Sequence, residues 1–387
     1  MLITAKQIHN GHQWLPEGSV IDVSETGQIK AIYDHSLNDE AFFYEGILIP
    51  GFVNVHCHLE LSHMKGAIPE LTGLIPFLQT IPRHRNDFTE EFKKDARHAA
   101  IHEMLNNGIV AVGDIANTTE SSDLRYLDLM HFHTFVEAIG FSETNVQKLF
   151  SRSLHVFSEF AAQERGEKTL QQSIVPHAPY SVSHSLFRMI DAHKKEAIIS
   201  IHNQESKAED EYYFIKHGPV NKLLHGLGID DSFFKPSGKS SLQTYLEWLS
   251  PSHPFIFIHN TFTKRNDVEV AQSYLKNVFW CFCPNANMYI EHQLPDVEMF
   301  LQQHAAICIG TDSLASNHQL SVLAELQTLK KHFPFLDWER MLQWGTYNGA
   351  QALQMGDILG SIEPGKKPGI IQIKNLEGSH PEIKVIA

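Results

Sequence analysis

The chain has 387 residues, 42% of them hydrophobic, which fits one large α/β barrel with a small accessory domain better than several small domains. Its 31 basic and 45 acidic residues leave a net charge of −14 with no long basic run, which argues against nucleic acid or an anionic membrane as a partner. No basic segment followed by an apolar stretch opens the chain, and no apolar run approaches the ~20 residues that cross a bilayer, so a cytoplasmic protein without a signal peptide is expected.

Residues 1–49 read as short strands and turns: Leu2-Ile3, Val20–Val23, Ile29–Ile32 and Gly46–Ile49. Residues 360–387 return to that texture, with Ile370–Ile373 after a Gly-Lys-Lys-Pro-Gly turn. The two ends are therefore predicted to pair into one small β-sandwich around a barrel spanning 50–359. Inside that span apolar strands are predicted at 52–56, 109–114, 133–139, 172–177, 197–202, 254–259, 278–283 and 305–310. Helical stretches separate them, most clearly 90–107, 183–195, 264–276, 318–332 and 338–353. Strand and helix alternating in this way, eight strands in all, imply a (β/α)₈ barrel, whose chemistry sits at the C-terminal strand ends. Residues 218–252, rich in Gly, Ser and Pro but helical at Leu242–Leu249, read as an insertion that covers substrate.

The most informative stretch is Pro50-Gly51-Phe52-Val53-Asn54-Val55-His56-Cys57-His58. Side chains two apart on a strand share a face, so His56 and His58 point the same way from the strand's end. Two imidazoles aimed together are half of a metal site. Strand five ends in His202, with Glu205 three residues on; strand six ends in His259, strand eight in Thr311-Asp312-Ser313, and strand four in His177. Singly each has a plain explanation, such as a helix cap for Asp312 or a core imidazole for His259. Five such tips after purely apolar runs are together what a barrel metalloenzyme requires. Three neutral imidazoles and one carboxylate suit a zinc-type cation, with a position left for water whose pKa falls toward ~7. Glu205 can then move the water proton to a ring nitrogen, while His259 and Asp312 orient the nucleophile.

Most other histidines are bystanders. His131-Phe132-His133 repeats the spacing, but at the start of a strand, the stability end of a barrel; Glu137, at that strand's far end, can support a ligand. His98 and His102 lie four apart on a helix, with Ala99 where a zinc-protease helix carries Glu. His63, His184, His217, His292 and His318 are left as candidates to line the mouth. The four cysteines fall in predicted strands and read as buried, reduced thiols.

Together, His56-Cys57-His58, His202 with Glu205, His259 and Asp312 resemble the amidohydrolase superfamily, and within it the cytosine/guanine/adenosine-type deaminase and chlorohydrolase branch. The likeness covers nearly the whole chain, including His177-Ala178-Pro179-Tyr180-Ser181, Cys283-Pro284-Asn285-Ala286-Asn287 and Leu359-Gly360-Ser361-Ile362-Glu363-Pro364-Gly365. It implies one divalent metal, zinc first and iron second, bound by His56, His58, His202 and Asp312. Strand four offers Pro176-His177-Ala178 and no lysine to bridge a second metal. It also implies catalytic roles for Glu205, His259 and Asp312, substrate contacts from His177, Glu60, Asn287 and Ser313, and, by analogy, a homodimer. His58-Leu59-Glu60-Leu61-Ser62 and Ser313-Leu314-Ala315-Ser316-Asn317 look closest to deaminases of aminodeoxyfutalosine, methylthioadenosine and S-adenosylhomocysteine. Triazine dechlorination, guanine or cytosine deamination, and a scaffold that has lost catalysis are the alternatives. Beyond the resemblance, Thr72–Leu78 offers apolar surface, and Arg83 or Arg85 is a candidate partner for a substrate carboxylate, Arg83 being the residue taken forward.

Overall fold

A computed structural model describes residues 1–34, 40–164, 166–378 and 380–387. The strands run β1 (Leu2–Ile8), β2 (Val20–Val23), β3 (Ile29–Tyr33), β4 (Phe42–Pro50), β5 (Phe52–Cys57), β6 (Ile109–Ala116) and β7 (His131–Ala138). They continue with β8 (Leu170–Pro176), β9 (Ile199–Asn203), β10 (Phe255–His259), β11 (Val278–Phe282), β12 (Ile307–Ile309), β13 (Ile370–Lys374) and β14 (Glu382–Val385).

β5 to β8 form one parallel arc and β9 to β12 another. Two seams close them into the barrel. At one, the His202 amide donates to His177 O at 3.0 Å; at the other, the Thr311 and Asp312 amides both donate to His56 O at 3.0 Å. Both seams thus pass through residues that the sequence marked as ligands or their neighbours. Val53, Val55, Ile115, Phe135, Ile256, Ile258 and Cys281 fill the interior, and Leu353, Met355 and Leu359 pack into the same cluster. β5 is buried along its whole length, as expected for a strand covered on both faces.

The outer shell follows the predicted helices, with differences that have local causes. The helix at 90–107 is Glu90–Asn106, capped by Thr89 Oγ1 and stopped at Gly108 with φ 71°. The 338–353 helix is instead three pieces: Trp338–Gln343, a π-helical Trp344–Asn348, and Gly349–Ala352. This segment lies against the barrel, and a Cβ on Gly349 would come within 2.9 Å of Val53 Cβ. Residues 218–252 carry two α-helices, not one, and the anticipated Leu242–Leu249 stretch divides into Ser241–Tyr245 and a 3-10 turn at Leu246–Trp248. Ser241–Tyr245, capped by Ser240, sends Leu242 and Tyr245 into the main core, whereas Pro219–Gly226 lies at the barrel mouth.

The chain ends form one six-stranded sheet ordered β14-β13-β4-β1-β2-β3. Ile3, Ile21, Ile29, Leu48, Ile362 and Ile370, from both chain ends, pack into one buried cluster of their own against this sheet. Ile29 N donates to Lys366 O at 2.9 Å and Gly365 N to Ile29 O at 2.8 Å, closing its edge. Among the described residues, no helix is long and apolar enough to cross a membrane.

Candidate metal centre and active site

Strand direction brings the histidines together. His56 lies in β5 and His58 one residue past it, His202 in β9, His259 at the end of β10, and Asp312 three residues past β12. His58 Nε2 and His202 Nε2 are 3.3 Å apart, and Asp312 Oδ1 lies 3.5 Å from His58 Nε2 and 3.6 Å from His56 Nε2. The ring centroids of His56 and His202 are 4.9 Å apart. Gly310 makes this approach feasible, because any Cβ there would sit 2.8 Å from His56 Cβ. Gln204, His259 and Asp312 all adopt left-handed backbone, with φ of 45°, 69° and 56°. Such conformations cost about 1–3 kcal/mol each and cluster where a fold spends stability on a site.

The donor set fits a divalent cation. His202 Nδ1 donates to His177 O at 2.8 Å, which leaves the Nε2 lone pair facing the cluster. Glu137 Oε1 stands 3.4 Å from the same Nδ1, the outer support a ligating imidazole normally has. Both ring nitrogens of His56 and Nε2 of His259 are fully buried without a hydrogen-bond partner. Buried polar atoms left unpaired cost about 1–3 kcal/mol each, and a cation at this cluster removes part of that cost. Within the described residues, His56, His58 and Asp312 converge as a ligand group, as do His56, His202 and His259.

Electrostatics match that role. Burial lowers His58 to about 3 and His177 to about 4, and holds His56, His202 and His259 below the ordinary imidazole range, so all are neutral and able to ligate. Burial alone would raise Asp312, but the imidazoles of His56, His58 and His259 set around it hold it well below the usual carboxylate range. Glu205 goes the other way: burial, with Asp312 and Glu291 nearby, raises it well above its ordinary value. Two carboxylates pushed in opposite directions are the signature of divided ligand and proton-carrier roles. Glu205 Oε1 is 3.7 Å from His259 Nε2, and His259 Nδ1 contacts Asn287 Oδ1 at 2.9 Å. The turn before Glu205 is pinned: Gln204 donates to Asp210 at 3.2 Å and Asp267 at 3.1 Å, and its amide to Glu209 at 3.0 Å.

A cavity of about 430 Å³ opens over this cluster. His58, His202, Glu205, His259 and Asp312 line its floor, with His177, Glu60 and Ser313 beside them. Its walls are apolar: Leu74, Phe77 and Leu78 from the anticipated Thr72–Leu78 stretch, facing Leu223, Leu224 and Leu227. Two of the substrate contacts expected from the sequence are placed elsewhere. Arg83 is exposed on its helix and does not line the cavity; Arg85, two residues on and turned to another face, does. Arg85 reaches toward Glu60 at 3.8 Å and Glu120 at 3.9 Å. Asn287 is also absent from the cavity wall, because its side chain is spent on His259.

None of His63, His184, His217, His292 and His318 lines the cavity; His318, for one, pairs with Glu70 at 3.2 Å. Reading the sequence missed Asn117, which donates to Glu137 at 2.8 Å and, through its amide, to Glu60 at 3.1 Å. It missed Phe141 on the cavity wall as well; Tyr180, also on that wall, was read only as part of the strand-four motif. A signal was available for Asn117 alone: it follows an apolar strand at the same end as the other site residues.

The chain matches the Amidohydrolase family over residues 47–386. It belongs to that family. Membership makes the chain a metal-dependent hydrolase built on this barrel. An adenosine deaminase of Helicobacter pylori is 26% identical over 353 residues, covering 90% of this chain and 83% of that protein. The structure of Helicobacter pylori aminofutalosine deaminase in complex with methylthio-coformycin shares the fold with a TM-score of 0.80 at 24% identity, covering 96% of this chain and 91% of that one. An adenosine deaminase from Xanthomonas campestris with bound zinc shares it with a TM-score of 0.72 at 21% identity, covering 96% and 84%.

Proposed function

We propose that this family member is an aminohydrolase that removes the exocyclic amine of a heteroaromatic base, with an adenine nucleoside such as aminodeoxyfutalosine, methylthioadenosine or S-adenosylhomocysteine as substrate. The observation that carries the reading is Glu205, raised by burial, standing 3.7 Å from His259 on the floor of a cavity whose other floor groups are neutral imidazoles and an ionised aspartate. The Helicobacter and Xanthomonas deaminases support adenine as the base. We assign the barrel to 50–359 and the accessory sandwich to 1–49 with 360–387, and place the protein in the cytoplasm.

One divalent cation, zinc before iron, would be held by His56, His58, His202 and Asp312. When bound it supplies the Lewis acidity that makes water nucleophilic near neutral pH. Glu205 accepts the proton of the attacking water and delivers it to the ring nitrogen beside the amidine carbon. A C–O bond forms at that carbon; the remaining hydroxyl proton then passes through Glu205 to the amine, the C–N bond breaks and ammonia leaves as the carbonyl forms. His259, fixed by Asn287, orients the incoming oxygen, and His177, Glu60 and Ser313 hold the nucleoside. The apolar arm of Leu74, Phe77 and Leu224 takes the substituent at the far end of the ribose.

Ammonia release tests this reading directly. Protein of known metal content is offered adenosine, methylthioadenosine, S-adenosylhomocysteine, aminodeoxyfutalosine, guanine and cytosine. Release from at least one adenine nucleoside, with about one metal per chain, is expected. Metal-replete protein that frees no ammonia from any of them refutes the proposal.

A further inference from the structure

Behind the site, a carboxylate outside the cavity ties two of its loops together. Glu325 lies in the first turn of the helix Val322–His332 and is fully buried. Its Oε2 accepts the Asn285 amide at 2.7 Å, and its Oε1 accepts Asn285 Nδ2 at 3.0 Å and Asn317 Nδ2 at 2.8 Å. Asn317 Nδ2 donates its other proton to Thr311 O at 2.8 Å, the residue before Asp312. Asn285 is the second residue of the short helix Pro284–Ile290, whose Asn287 holds His259.

One carboxylate therefore holds both the turn that presents Asp312 and the helix that orients His259. Both targets sit on strained or exacting geometry: Asp312 and His259 have φ of 56° and 69°. Burial raises the Glu325 carboxyl to about 8 against these bonds, so what ties the two loops to one point is the convergence of three N–H donors on a single buried carboxyl. Simple packing does not explain an acid here either. The neighbours on this face are Val322, Leu326 and Leu329, all buried, and a leucine at 325 would continue the stripe.

We propose that Glu325 is a positioning residue that sets Asp312 and His259 in register with the three histidines, so that it governs metal retention and turnover without touching substrate. The proposal rests on the metal-centre reading above, and its test has a readout that needs no substrate. Wild type and E325Q are loaded with zinc and challenged with a chelator, and residual metal is measured by atomic absorption. E325Q replaces one acceptor oxygen with a donor amide that faces another donor. It is expected to lose metal about 10-fold more readily and to lower kcat about 10–100-fold with KM within about 3-fold.

N285A removes one donor and leaves the carboxylate, giving a milder version of both effects if E325Q folds poorly. A merely structural glutamate lowers Tm alone. Folded E325Q or N285A with wild-type metal retention and kcat overturns the proposal. Should wild type release no ammonia from any nucleoside, the activity assignment falls while the metal-retention contrast still decides Glu325.

Discussion

The chain carries two His-x-His triplets on barrel strands, and they sit at opposite ends. His56 and His58 are at the C-terminal end of β5; His131 and His133 open β7. Both pairs are buried, and burial lowers His133 to about 3, as it does His58. Their partners differ. His133 meets Gln171 Oε1 at 3.3 Å and Ser173 Oγ at 3.1 Å, and His131 Nδ1 accepts the Thr169 amide at 3.0 Å. Such neutral partners satisfy an imidazole where it stands. His56 has no partner on either nitrogen, and His58 Nε2 faces another imidazole and a carboxylate. Spacing alone therefore does not make a ligand; the end of the strand does, because only there do all the strand tips converge.

Substitution tests that contrast most sharply. His58→Ala is expected to abolish metal binding and cut kcat by about 10³-fold or more, since it vacates one of the proposed ligand positions. His133→Ala should keep the metal and leave kcat within about 2-fold, its cost confined to about 1–3 kcal/mol of stability from lost packing and hydrogen bonds. Metal analysis and steady-state kinetics on the two purified variants separate the ends of the barrel. Equal metal loss in both would erase the distinction.

Within the C-terminal rim, ligands and proton carriers can be parted in turn. Glu205→Gln removes the raised carboxyl but none of the proposed ligands. It should keep metal near wild-type content while ammonia release falls about 10³-fold, within the usual contribution of general acid–base groups. Near-native turnover in that variant would assign the proton transfer to another group.

Much of this was legible in the sequence, because apolar strand cores ending in single polar residues can be read without knowing how the strands meet. What was not legible depended on angle or on distant partners. Arg83 and Arg85 differ by about 200° around a helix, and nothing in Leu74–Arg85 says which face meets the cavity. Asn287 reads as a pocket residue until β10 and β11 are seen to pair, which sets it beside His259. Glu325 looks like one polar position on an amphipathic helix; its burial follows only from the Asn285 and Asn317 turns packed over it. The helix Pro219–Gly226 was hidden in a Gly- and Ser-rich stretch, so Leu223 and Leu224 were missed as cavity wall.

That helix gives a smaller, rim-level test. Leu227 lines the mouth but is 62% exposed, so its replacement costs the fold little. Leu227→Asp should raise KM for a nucleoside with an apolar ribose substituent about 10-fold and leave kcat within about 2-fold, the loss of one apolar contact. Unchanged KM would remove 218–252 from substrate recognition and leave it as shell.

The last contrast lies at the opposite end of the barrel, in the pH dependence of stability. His133 is held near 3 by burial, chiefly, against the Gln171 hydrogen bond that favours its charged form. An unfolded histidine titrates near ~6.5. Between those values the unfolded chain binds a proton that the native chain refuses, so stability falls as pH drops below about 6.5. The slope is at most about 1.4 kcal/mol per pH unit, giving a loss of about 2 kcal/mol between pH 7 and pH 5 from this one residue. His133→Gln deletes the titration while keeping a side chain able to bond Ser173. Its unfolding free energy, measured by urea denaturation, should therefore drop less between pH 7 and pH 5 than that of wild type, whatever constant offset the substitution adds. Parallel pH profiles would mean that His133 opens to solvent and charges in the native state, and the two His-x-His triplets would then differ in burial as well as in partners.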